Sequence, residues 1–84
     1  MNNNQKWVKQ QEIKARILEV RKLVDRNLRD YLVLQLSEVE KTVYVFTSQV
    51  PEHRWIDLSE GKEYTFTIAE NEKGYKNLLD FDYF

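Results

Sequence analysis

The chain has 84 residues, 42% of them hydrophobic and 32% charged, with two glycines, one proline and a formal net charge of -1. A chain of this length builds one modest core, and this composition is too apolar and too aromatic for a disordered segment. The absence of cysteine excludes disulfides, thiolate metal sites and thiol redox chemistry, and the near-neutral balance argues against a general polyanion binder.

The polar opening, Met1 to Gln5, lacks the charged-then-apolar layout of a secretory signal. No apolar run approaches the roughly 18–20 residues of a membrane span. A soluble, cytoplasmic protein without membrane contact is therefore expected. Residues 1–10 read as a polar, frayed segment, and Trp7 within it has no obvious core partner, which makes it a candidate docking side chain. Residues 11–82 read as one domain and residues 83–84 as a terminal end.

From Ile13 two patterns compete. Ile13, Ile17, Val20, Val24, Leu28 and Tyr31 recur at spacings of three and four, as on an amphipathic helix. Ile13, Ala15 and Ile17 also alternate as on a strand, and after a slip at the Ile17–Leu18 pair, Leu18 and Val20 continue the alternation. A slip of one residue is what a β-bulge produces. Asp25, Arg26 and Asn27 then supply turn formers, which are poor in a helix interior. Periodicity alone leaves both readings open, and the helical one would make the chain an α+β module.

Downstream the pattern is clearer. Tyr31 to Leu36 alternates, with Leu32, Leu34 and Leu36 on one face and Tyr31, Val33 and Gln35 on the other. Ser37–Glu40 is a short connection, and Thr42–Thr47 is dense in β-branched and aromatic residues. Pro51 breaks that strand, and Glu52–Leu58 suits a single helical turn or a loop. Ser59–Gly61 is a turn, Glu63–Ile68 alternates again, Asn71–Gly74 is a hairpin connection and Tyr75–Phe81 is a last strand.

One segment carries a family resemblance. Trp55, Leu58, Gly61, Tyr64 and Phe66 form the pattern W-x-x-L-x-x-G-x-x-Y-x-F. It resembles the approach to the fourth strand in single-stranded DNA-binding proteins of the oligonucleotide-binding (OB) fold. The resemblance implies a mostly β, five-stranded OB-fold Greek-key barrel with little helix. In it Leu58 would cap the barrel bottom, Gly61 would turn the chain, and Tyr64 and Phe66 would enter the core. It also requires a long, bulged first strand, which favours the strand reading of residues 13–24.

The function implied is non-catalytic binding of single-stranded DNA, or RNA, in a replication or recombination module such as that of a phage or other mobile element. Residues 1–42 carry nine Lys or Arg against six Asp or Glu, and residues 43–84 carry four against eight. The basic excess concentrates in Lys14, Arg16, Arg21, Lys22, Arg26 and Arg29, an electrostatic footprint suited to a nucleic-acid backbone. A solvated charged face is the competing reading.

OB proteins bind strands on strands two and three, flanked by two loops. Those loops map here to Val24–Asp30, with Arg26 and Arg29, and to Glu70–Lys76, with Lys73, Tyr75 and Lys76. Tyr31 lies on the non-core face of strand two. In strand three either Tyr44 and Phe46 or Val43 and Val45 face the core. The aliphatic supply favours the valines inside, leaving Tyr44 and Phe46 beside Tyr31 as a stacking platform.

Trp55 beside Arg54 suits either a packing or a cation–π role, with packing favoured by its place in the pattern. The single histidine, His53, sits in a polar connector, and the two glycines are too far apart for a phosphate loop. No enzyme, metal site or cofactor is expected. The acidic, Phe-terminated end is similar to the tails by which bacterial single-strand binders recruit enzymes, although no flexible linker precedes it. A last strand is the favoured reading of that end. Tyr83 and Phe84 join Trp7 as candidate docking residues of an alternative function: an accessory subunit bound to a replication polymerase, primase or helicase.

Overall fold

A computed structural model of the protein describes residues 7–83. It contains β1 (Trp7–Val24), β2 (Asp30–Leu36), β3 (Val43–Val45), a 3-10 turn (Glu52–Asp57), β4 (Glu63–Asn71) and β5 (Lys76–Asp82). The strands close into a barrel in the order β1-β2-β3-β5-β4, with β3 and β5 parallel and the other pairs antiparallel. This is the five-stranded OB-fold barrel.

The contested segment is a strand, and its bend explains the double pattern. Up to Arg16, β1 pairs with β4; from Ile17 it pairs with β2. The register shifts between Ile17 and Glu19, so Leu18 is the extra residue of a bulge. Ala15 and Ile17 point into the core before it and Val20 packs against the core after it. The slip from period two produces apolar spacings of three and four that imitate a helix. Leu18 does not continue the buried face, as the alternation suggested; the bulge leaves it 52% exposed.

The change of partner is held by backbone groups of other elements. Gly61 N–H donates to the Ile17 carbonyl and Ile17 N–H to the Lys62 carbonyl, both at 2.8 Å. Arg16 N–H donates to Ser37 Oγ at 2.8 Å, and Ser37 N–H returns to the Arg16 carbonyl. Gly61 has φ +88°, a left-handed conformation that glycine adopts without the Cβ penalty. The expected turn is thus also a clamp on the bulge.

Phe66, Ile17, Leu34, Leu36, Ile68, Leu78, Val43 and Val45 fill the barrel. Trp55 and Leu58 are buried at one end, with Trp55 Nε1 donating to the Val50 carbonyl at 3.0 Å. Packing is therefore the role of Trp55. The Arg54 guanidinium instead lies 4.4 Å from the centroid of the Phe81 ring and pairs with Asp80 at 2.8 Å.

Two boundaries differ from the sequence reading. β1 starts at Trp7, inside the segment expected to fray, because β4 continues to Asn71 and supplies backbone partners for polar residues. β3 spans only Val43–Val45, since Phe46 turns away and its carbonyl accepts from Gln49 and Val50 N–H. The acidic end, read as a last strand, is strand as far as Asp82. Residues 1–6 and Phe84 lie outside the described residues. Among the described residues, no helix is long and apolar enough to cross a membrane.

Candidate nucleic-acid interface

Alternation along β3 puts Val43 and Val45 inside and Tyr44 and Phe46 outside. Register then lines up the outer face of the barrel. Leu23 of β1 stands opposite Tyr31 of β2, whose ring stacks on Phe46 with centroids 5.5 Å apart. In the next row Arg21, Val33, Tyr44 and Asn77 follow one another across β1, β2, β3 and β5. Tyr44 and Phe46 lie nearly parallel, at 6.1 Å and 9°. Tyr75 meets Tyr44 edge-on at 5.9 Å. These four rings form one half-exposed ledge.

Two turns flank the ledge, and their backbones are the same. In Asp25–Arg29, the Asp25 carboxylate accepts from Asn27 and Arg29 N–H at 2.8 and 3.0 Å. Asp25 N–H donates to the Arg29 carbonyl and Leu28 N–H to the Asp25 carbonyl. In residues 71–75, Asn71 Oδ1 accepts from Lys73 and Tyr75 N–H, both at 3.0 Å. Asn71 N–H donates to the Tyr75 carbonyl and Gly74 N–H to the Asn71 carbonyl. The fourth residue is left-handed in both, Leu28 at φ +63° and Gly74 at φ +87°. Such side-chain-locked turns fix the fifth residue, Arg29 in one and Tyr75 in the other.

Two open pockets meet at Phe46. One, of about 350 Å³, is lined by Tyr44, Phe46, Asn71, Tyr75 and Asn77. The other, of about 260 Å³, is lined by Asp25, Arg29, Asp30, Phe46, Thr47 and Ser48. A continuous track thus runs from Arg29 across the aromatic rings to Asn77, with Arg21 beside it. Arg21 is exposed and 3.8 Å from Glu19.

The basic residues do not form one stripe. Arg26 and Lys73 are exposed on the two turns. Lys22 falls on the opposite face of β1 from Arg21 and pairs with Asp30 at 3.4 Å. Lys14 and Arg16 border a separate hollow with Leu18, Ser37, Glu38 and Glu63, and Arg16 is bonded to Glu63 at 2.7 Å. Lys76 turns from the ledge to Glu70 at 3.4 Å. The docking candidates are also apart: Trp7 registers with Asn71 at one end of β4, while Tyr83 lies 5.5 Å from Tyr64 near the other.

Sequence reasoning missed Asn71, Asn77, Leu23 and Lys41. Lys41 Nζ lies 3.5 Å from the Gly74 carbonyl, beside the second turn. Register brings Leu23 and Asn77 to the ledge, and the turn of residues 71–75 brings Asn71. No family model, curated protein or solved structure gives a significant match to this chain.

Proposed function

We propose that the protein binds single-stranded nucleic acid, without catalysis, on the ledge formed by Tyr31, Phe46, Tyr44 and Tyr75, and serves DNA replication or recombination. The observation that carries this reading is the ledge itself: four aromatic side chains left outside a barrel whose core is filled without them. Each base stacked on an aromatic ring contributes about 1–3 kcal/mol and needs no particular sequence. Arg21, Arg26, Arg29 and Lys73 are the cations placed to meet phosphates along the track.

Fluorescence anisotropy with labelled oligothymidylate at several salt concentrations tests this. About four phosphate contacts correspond to a log–log salt slope of about -3 for a single strand. Duplex of the same length competes poorly, because its bases are not available to stack. Absence of affinity at low salt overturns the reading.

A second reading is favoured by apolar side chains exposed away from the ledge, at Leu18, Ile56 and Tyr83. It makes the protein an accessory subunit docked on a replication polymerase, primase or helicase. Co-purification with such an enzyme in a nuclease-treated extract tests it.

A further inference from the structure

The pocket between Tyr44 and the β4–β5 turn contains a polar group that the fold does not use. Asn77 is only 2% exposed, yet its side chain borders this pocket. Its Nδ2 donates to the Tyr75 carbonyl at 3.3 Å. A carbonyl only accepts, so this bond fixes the amide orientation and leaves Oδ1 as the end available to the pocket. Among the described residues Oδ1 has no hydrogen-bond partner. Among the described residues no buried side-chain polar atom is left unpaired, so Oδ1 is not sealed in the core but open to the pocket, where a ligand can reach it.

The surroundings say what kind of partner fits. Asn77 is the cross-strand neighbour of Tyr44, so a ring stacked on Tyr44 brings its edge over Asn77. Asn71 Oδ1 is committed to two backbone N–H groups, which leaves Asn71 Nδ2 as a donor on the same wall. A flat aromatic floor with one acceptor and one donor at its edge matches the edge of a nucleobase. The volume of about 350 Å³ admits one.

We propose that this pocket reads the edge of one base in the bound strand, with an imino or amino N–H of that base donating to Asn77 Oδ1. The inference rests on the single-strand reading above and adds a dependence on base hydrogen bonding that stacking alone does not give.

Thymine has a single N–H, at N3, and N3-methylation removes it while keeping the ring. The test compares oligothymidylate with an oligomer of N3-methylthymidine throughout, so that the protein cannot shift to an unmodified base. The wild-type protein binds the methylated strand about tenfold more weakly, the effect of losing one neutral hydrogen bond and of setting a methyl group against Oδ1. Asn77→Leu binds both strands alike, which places the discrimination at Asn77. The wild-type comparison stands by itself if that variant does not fold. Equal wild-type affinity for the two strands overturns base reading and leaves stacking intact. Absence of affinity for either strand overturns both.

Discussion

Replacing Phe46 by leucine separates stacking from burial. Phe46 is the middle ring of the ledge, 5.5 Å from Tyr31 and 6.1 Å from Tyr44, and it borders both pockets. Leucine keeps most of the apolar volume, so a half-buried site loses less than about 1.5 kcal/mol of stability. What it removes is a π-face. Loss of one stacked base costs about 1–3 kcal/mol, or about 5- to 150-fold in Kd. Tyr31 and Tyr44 remain, tilted at 38° with centroids 6.4 Å apart, so binding is weakened but not abolished.

Anisotropy titration with oligothymidylate, beside a circular dichroism melt, reads both quantities. The salt slope stays at its wild-type value because no cation has been removed. Wild-type affinity in a folded Phe46→Leu protein refutes the stacking argument, and the strand would then have to run elsewhere.

Three further outcomes follow from the geometry. Arg21→Ala and Arg29→Ala each lower the magnitude of the salt slope by about 0.7 and weaken all sequences alike, as measured by titration at several salt concentrations. Leu28→Gly raises stability by about 0.5–1 kcal/mol in urea unfolding, since a left-handed leucine costs about 1–2 kcal/mol and glycine's extra entropy offsets part of the relief. Leu28 is 84% exposed and has no packing to lose, and Gly74 already occupies the equivalent position of the sister turn. Burial holds the Tyr64 phenol above its ordinary pKa of 10.0, with Tyr83 and Asp57 adding to the shift. A raised folded-state pKa gives stability that is complete below pH 10 and is lost as pH rises through the folded value. Tyr64→Phe therefore flattens the alkaline fall in melting temperature. It also removes the 2.7 Å bond to the Asp57 carbonyl, at a cost of about 1 kcal/mol at neutral pH.

Much of this fold was legible because strands after residue 30 write their pleat directly into the sequence. Leu32, Leu34 and Leu36 alternate without interruption, and Val43 and Val45 fill what remains of the interior. Residues 13–24 were ambiguous for a physical reason: a bulge adds one residue, and alternation interrupted once looks helical. The resemblance of Trp55 to Phe66 tipped that ambiguity toward a bulged strand, and Gly61 proves to be the residue that clamps it. The start of β1 was not legible, because Trp7–Gln10 is held by backbone bonds to β4 rather than by buried side chains. The ledge was partly legible, since placing the valines inside placed Tyr44 and Phe46 outside. Asn77 was not, because its importance arises from a β3–β5 pairing between segments far apart in the chain.

The charge pattern misled in an instructive way. Along β1 consecutive side chains point to opposite faces, so Arg21 and Lys22 cannot both face one ligand. The bulge and the change of partner then put Lys14 and Arg16 beside Glu63 and Ser37 instead of beside Tyr31. A basic run in a bent strand is thus divided among surfaces, and about four cations border the ledge where the sequence suggested more. Four phosphate contacts give a moderate salt dependence, whereas stacking on the rings of the ledge, at about 1–3 kcal/mol per base, gives an affinity that salt does not screen. Affinity for oligothymidylate, extrapolated along its salt slope to about 1 M salt where the counterion term vanishes, should therefore remain measurable. No affinity left at that extrapolated salt concentration would mean that the cations, and not the rings of the ledge, hold the strand.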